Sequence, residues 1–204
     1  MKKILSLIAL LVVGVIVYFV FFNKKKNNVD DPKQQSIVLK KHSDAFNNIT
    51  DSVVNAYLDI KNAFVNADTA AAKAAARNLI VLVDKLPIDE LKKDNATIFE
   101  TVQSNLADIK SNAASLINQT DITEMRKDFS MVTEMMYPSF FTAINYEGPK
   151  LYLANCPMAF NDSISANWIS NSAEIVNPYM GKNHPTYHAG MLACGSVKDS
   201  IVAK

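Results

Sequence analysis

The chain has 204 residues, and its 21 Lys and Arg nearly balance its 20 Asp and Glu, for a formal net charge of +1. This balance excludes the strongly basic surface that is typical of nucleic-acid-binding domains, so we expect no nucleic-acid partner. Hydrophobic residues make up 49% of the chain, which is enough for one domain with a core of its own.

The N-terminal residues predict a membrane anchor. Residues 4–22 carry no charged side chain, and as a helix they would span about 28 Å, close to the thickness of a bilayer core. The run ends in bulky side chains, where a signal-peptide cleavage site needs small ones. We therefore expect residues 1–22 to be an uncleaved single-pass anchor. Residues 23–36, which are polar and contain Pro32, are predicted to be a flexible linker.

The next part of the chain, up to residue 144, has the pattern of amphipathic helices. Apolar residues recur there every three or four positions, which places them on one face of each helix. Four such stripes occur in chain order: Phe46, Ile49, Val53, Tyr57, Ile60 and Phe64; Ala72, Ala76, Leu79, Val83 and Leu86; Ile98, Val102, Ile109, Ala113 and Leu116; Ile122, Met125, Phe129, Val132 and Met136.

Residues that cap or interrupt helices separate these stripes. Asp68 and Asp121 precede helical runs and are predicted N-caps. Pro87 is placed to start a helix, and Pro138 to end or kink the fourth one. The predicted fold class is therefore all-α, an up-down four-helix bundle with an N-terminal transmembrane anchor and an irregular C-terminal segment containing Cys and Met. Residues 37–204 are expected to form one domain, including the Cys/Met/His segment 150–204.

The C-terminal segment collects most of the sulfur and imidazole groups of the chain. Residues 155–195 hold both cysteines, the only tryptophan, three of the eight methionines and two of the three histidines. Trp168 is expected to pin this segment to the bundle as part of a loop. The residues at the two ends could supply ligands to one metal ion: Cys156, Met158, His184, His188, Met191 and Cys194.

Two interpretations of this segment remain open. Thiolate and thioether sulfurs are soft donors that favour Cu(I), and histidine nitrogens could complete its coordination. In an oxidising compartment, however, two cysteines commonly form a disulfide. A bond between Cys156 and Cys194 would close a loop of about 39 residues and contribute roughly 3–4 kcal/mol. Free thiols, or a bridge that opens on reduction to release a metal site, are further alternatives.

The same segment resembles a known family. The stretches "CPMAF", "WIS", "NPY" followed by Gly181, and "ML" followed by Cys194 and Gly195 are similar to a bacterial extracytoplasmic domain of unknown function. That domain occurs alone or fused to adaptor subunits of heavy-metal efflux systems. Residues 56–68 and 126–130 resemble its helical part more loosely. The stretch "KNHPTYHAG", which carries both histidines, departs from the family pattern and leaves the ligand set undefined.

The resemblance implies an exported location and an association with copper or related metals. We therefore expect a metal-binding module at the cell inner membrane, held there by its N-terminal helix and facing the periplasm. Its partner would be an efflux or metal-transfer protein, and its ion Cu(I). The alternative is a non-catalytic interaction domain in which Cys156 and Cys194 form a structural disulfide. No catalytic motif of a hydrolase, a zinc protease or a nucleotide-binding enzyme occurs, so no enzyme is expected.

Overall fold

The computed structural model describes residues 41–202, all of which lie in one compact unit. The predicted anchor, residues 1–22, and the predicted linker, residues 23–36, lie outside the described residues. Among the helices of residues 41–202, none is both long enough and apolar enough to cross a bilayer.

Four long helices form the first part of the domain. They are α1 (Asp44–Val65), α2 (Thr69–Lys85), α3 (Ala96–Asn118) and α4 (Ile122–Met135). A short 3₁₀ helix, Ile88–Lys93, connects α2 to α3, and a π-helical turn, Met136–Phe140, leads from α4 into the single-turn helix α5 (Phe141–Ala143).

Side chains at the helix starts explain where the helices begin. The carboxylate of Asp68 accepts a hydrogen bond from the Ala71 N–H at 2.9 Å, and Asp121 accepts from Thr123 N–H and Glu124 N–H. Ser43 and Asn95 cap α1 and α3 in the same way. Each cap satisfies amides that have no partner within the helix. Pro138 lies in the π-helical turn, where the preceding Tyr137 has non-helical backbone angles of φ −121° and ψ 133°, and this fits its predicted role as a helix breaker.

The predicted apolar stripes form the core between these helices. Each long helix packs against the next one in sequence, and α4 contacts α1 through aromatic side chains. Phe129 of α4 stacks on Tyr57 at 4.9 Å and meets Phe64 edge-on at 5.5 Å between ring centroids. These rings are fully buried and form the centre of the hydrophobic core.

The predicted all-α class is wrong, because the C-terminal segment is not irregular. It contains a three-stranded antiparallel sheet with strand order β2-β1-β3, formed by β1 (Leu151–Phe160), β2 (Ile164–Ser170) and β3 (Ser196–Ile201). Trp168, expected in a loop, lies in β2. The domain is a helical bundle packed against a small sheet, with α4 contacting β2 most closely.

Burial explains why the strands lack the alternation of apolar and polar residues that would predict them from the sequence. β1 is the central strand and is buried on both faces along much of its length, so its apolar residues do not alternate with polar ones. β3 is exposed at five of its six positions and pairs through backbone hydrogen bonds, which carry no side-chain signature. Register shifts between Cys156 and Phe160 and between Leu153 and Ala154 disturb the period further.

Candidate functional site

The structure brings the two cysteines together. Their Sγ atoms lie 2.9 Å apart, although 38 positions separate the residues in the chain. Cys156 is in the central strand and is fully buried, whereas Cys194 is half-buried at the end of the connection that leads into β3. Both are thiols in this structure. The pair therefore joins the start and the end of the C-terminal segment.

The surroundings of the pair disfavour the thiolate form. Burial of Cys194, and then its hydrogen bond with Cys156, raise the pKa of the Cys194 thiol to about 11. The thiol is consequently protonated at neutral pH. Any metal that binds there has to displace this proton, and attack by the sulfur on a disulfide is slow unless the pH is raised.

The face of the sheet that carries Cys156 is closed by Trp168. Cys156 lies opposite Ala166, and Ala154 lies opposite Trp168, so these four side chains share one face of the sheet. Trp168 is fully buried, and its ring reaches across to Gly195: a Cβ at Gly195 would lie 2.9 Å from the indole Cη2. The same Cβ would lie 2.6 Å from the Asn155 carbonyl oxygen, and the φ of Gly195 is +133°. Only glycine fits here without strain.

The two predicted methionine ligands lie on the same two chain segments as the cysteines. Met158 follows Cys156 in β1, and Met191 belongs to a short 3₁₀ helix, Ala189–Met191. Both side chains are half-buried against the core. The Cys194 N–H donates to the Met191 carbonyl at 2.9 Å, so Met191 and Cys194 belong to one turn.

The two predicted histidine ligands form a separate small turn. The His188 N–H donates to the His184 carbonyl at 2.9 Å, and the His184 Nδ1 atom accepts from the N–H groups of Thr186 and Tyr187, each at 3.2 Å. A neutral imidazole that accepts at Nδ1 carries its proton on Nε2. The Nδ1 atom of His184 is thus already in use within the turn. His188 is exposed and has a φ of +49°.

The predicted six-residue ligand set is therefore divided in two. The cysteines converge, the histidines stabilise their own turn, and nowhere in residues 41–202 do three or more His, Cys, Asp or Glu side chains group as they would around a metal ion. What remains at the pair is two thiols, with the thioether groups of Met158 and Met191 two and three residues away along the chain.

A residue that was not among the predicted ligands also belongs to the site. Asn177 is fully buried, and its Nδ2 donates to the Cys194 carbonyl at 2.8 Å. The stretch "NPYMG", residues 177–181, predicts a turn, and the φ of +62° at Gly181 agrees with it. No local pattern predicts that the same side chain reaches Cys194, 17 positions away.

Comparison with known proteins identifies the helical part of the chain only. Residues 53–145 match a family described as Protein of unknown function (DUF3347). The chain therefore contains an uncharacterised domain, and the matched residues run from within α1 to just beyond α5. The cysteines, and the stretches that carry the resemblance in the C-terminal segment, lie outside the matched range. No curated protein and no solved structure matches the chain.

Proposed function

We propose that this domain is a non-catalytic module that binds a soft metal ion, Cu(I), through Cys156 and Cys194. The observation that carries the proposal is the 2.9 Å separation of the two sulfur atoms. Two thiol groups held face to face need only a small outward movement to admit an ion between them. Because sulfur donors are soft, such a site favours Cu(I) over Mg²⁺ or Ca²⁺.

The residues close to the cysteines in sequence favour thioether groups over imidazole groups as additional ligands of the ion. Met191 is in the same turn as Cys194, and Met158 is two residues after Cys156 on β1. Thioethers bind without losing a proton, unlike the thiols. His184 is the weakest of the candidates, because its Nδ1 atom already accepts two backbone hydrogen bonds within its own turn.

A second candidate function rests on the burial of the pair. Cys156 is fully buried, and the pKa of Cys194 is raised, which disfavours the thiolates that a metal needs. Sulfur atoms at this distance are also placed for a covalent bond. In this alternative the domain mediates protein interactions, and a Cys156–Cys194 disulfide holds the C-terminal segment in place, contributing roughly 3–4 kcal/mol.

Location and partners form part of the proposal. We place the domain at the cell inner membrane, facing the periplasm, on the strength of the apolar N-terminal residues and the family resemblance. Its partners would be the membrane, reached through residues 1–22, and an efflux or metal-transfer protein. Labelling intact cells with a thiol reagent that cannot cross the inner membrane tests this location: a periplasmic Cys194 is labelled after reduction, and a cytoplasmic one is not.

Intact-mass spectrometry of the full-length chain separates the two candidate functions. With reductant and Cu(I) supplied, the metal module retains one copper ion per chain, whereas Cys156→Ser and Cys194→Ser retain none. Met131→Leu, at an exposed methionine of α4, is the control for Met191→Leu, and only the latter weakens binding. Copper-free spectra under these conditions would reject the metal function.

The same preparations test the cross-link. Without reductant, a disulfide makes the chain lighter by two hydrogens, and adding dithiothreitol lowers the unfolding midpoint. If the oxidised and reduced chains unfold at the same urea concentration, the structural role of the bond is wrong. Copper binding should also tighten as the pH rises towards the pKa of Cys194, because the metal competes with the thiol proton.

A further inference from the structure

The β-sheet alone does not fix the orientation of Cys194. The first residue of β3 that pairs with β1 is Ser196, opposite Asn155. Cys194 lies two residues earlier, beyond Gly195, whose φ is +133°. A glycine joint next to a half-buried residue allows several orientations, so another contact has to hold the Cys194 backbone.

Asn177 supplies that contact. Its side-chain Nδ2 donates to the Cys194 carbonyl at 2.8 Å, and its backbone N–H donates to the Leu192 carbonyl, also at 2.8 Å. These two bonds hold the chain on both sides of Ala193. Asn177 is fully buried, so the donor side of both bonds is shielded from water.

Asn177 is itself anchored to the helical bundle. Its Oδ1 accepts from the Tyr179 N–H at 2.8 Å and the Met180 N–H at 3.1 Å, which closes the turn that ends at Gly181. The next residue, Lys182, donates its N–H to the Val65 carbonyl at the carboxyl end of α1 at 2.8 Å. A continuous set of hydrogen bonds therefore runs from α1 to the backbone of Cys194.

We infer that Asn177 is the positioning residue of the cysteine pair: its buried amide holds the Cys194 backbone so that the two sulfurs face each other before any bond or metal joins them. This inference rests on the proposed function, since it concerns the same pair. It adds that a non-covalent contact, and not the disulfide or the metal, sets the geometry of the site.

The chemistry of the side chain explains why asparagine is needed. Its amide donates through Nδ2 and accepts through Oδ1 at the same time. Serine accepts from the turn amides but is too short to reach Cys194. Aspartate keeps the shape and the acceptor of asparagine but has no N–H to donate, and it brings a carboxylate into a buried site.

The test is the thiol–disulfide equilibrium of the full-length chain with glutathione under native conditions. The protein dithiol and glutathione disulfide give the protein disulfide and two molecules of glutathione, so the cysteines are oxidised and glutathione is reduced. The equilibrium constant measures how well the folded protein holds its sulfurs together. For Asn177→Ser we expect it to fall by about 5-fold, which corresponds to one net hydrogen bond of about 1 kcal/mol.

Tyr57→Phe is the control for a loss of stability alone. Its hydroxyl accepts a hydrogen bond from the Ile169 N–H at 3.0 Å and contacts Thr133 Oγ1 at 2.6 Å, so the variant loses buried hydrogen bonds that involve neither cysteine. We expect its unfolding midpoint to fall while its equilibrium constant with glutathione stays at the wild-type value. A merely structural role of Asn177 would make the two variants behave alike.

The outcomes are distinct. If the wild-type chain forms neither a disulfide nor a copper complex, the proposed function fails. If the wild-type chain does form one and Asn177→Ser keeps the wild-type constant, the positioning role is overturned and the proposed function stands. Asn177→Asp covers the case in which the serine variant does not fold: a folded aspartate variant with the wild-type constant overturns the inference equally.

Discussion

The helical bundle and the C-terminal segment use different kinds of interaction. In the bundle, apolar side chains from every long helix share one core, and residues close in sequence make most of the hydrogen bonds. In the C-terminal segment, single side chains connect distant positions: Asn177 to Cys194, Cys156 to Cys194, and Tyr179 to the Asn167 carbonyl. The structure of the bundle is specified by the repeated spacing of its apolar residues, whereas the structure of the C-terminal segment is specified by individual side chains.

This difference between the two regions explains which residues determine the geometry of the candidate site. A shared core tolerates exchange among apolar residues of similar size. A buried amide or a glycine with positive φ has no equivalent substitute. The segment that holds the sulfurs is therefore the part of the domain in which single substitutions change conformation, whereas in the bundle they mainly change stability.

The largest effect is expected where the two regions meet. Phe129 of α4 contacts Tyr57 and Phe64 in the bundle and also Tyr179 of the C-terminal segment, at 6.1 Å between ring centroids. Phe129→Ala should lower the free energy of unfolding by about 3–5 kcal/mol, because it leaves a large cavity. Urea unfolding measures the loss.

Met131→Ala on the same helix is the matched control. Its side chain is 46% exposed, so its effect should stay within about 0.5 kcal/mol. If the C-terminal segment were stabilised only by its own contacts, thiol alkylation of Cys194 would be equally slow in Phe129→Ala. We expect faster alkylation, since Tyr179 loses the ring against which it packs.

A pair of glycines tests the claim that individual residues specify the C-terminal segment. Gly195→Ala places a methyl group 2.6 Å from the Asn155 carbonyl oxygen at a φ of +133°, and backbone strain of this kind costs about 1–3 kcal/mol. A Cβ at Gly190 meets no atom within 4 Å, so Gly190→Ala should be close to neutral. Thermal unfolding of both variants gives the comparison, and equal midpoints would contradict it.

The smallest expected effect is a change in acid sensitivity. Hydrogen bonds from Glu124 N–H and Thr123 N–H lower the pKa of Asp121 in the bundle, and the Tyr137 hydroxyl lowers that of Asp199 in β3. A carboxyl group whose pKa is lower when folded than when unfolded stabilises the protein at neutral pH. That contribution is lost as the pH falls through the folded pKa, below about 4.

Asp121→Asn and Asp199→Asn should therefore each flatten the dependence of the unfolding midpoint on pH in the acid range. Asparagine keeps an N-cap acceptor at position 121, so the first variant should remain close to wild type at neutral pH. Urea midpoints measured at a series of pH values show the change in slope. An unchanged slope in both variants would mean that neither carboxylate is held in its ionised form by the fold.

The bundle could be predicted from the sequence because its determinants are local. The stripe from Phe46 to Phe64 lies within α1, and Asp68 and Asp121 cap the helices that they precede. Spacing of three and four residues and a capping side chain each involve neighbours along the chain. No long-range information was needed to place these helices.

The sheet and much of the site could not be predicted in this way, because their determinants are pairings between distant residues. β1 is buried on both faces, and β3 carries Val197, Lys198 and Asp199 on an exposed edge, so neither strand alternates. The two cysteines were identified from their chemistry alone. That Asn177 reaches Cys194 and that His184 is engaged in its own turn depend on contacts that spacing does not encode.

Trp168 gives the protein an intrinsic optical probe. It is the only indole in the chain, so fluorescence excited at the red edge of the absorption band comes from one ring, which is fully buried and lies against Gly195. If β3 or the connection before it detached from the rest of the domain, water would reach that ring and shift its emission to longer wavelength. The state of the sulfur-bearing segment can thus be followed in real time without attaching a dye.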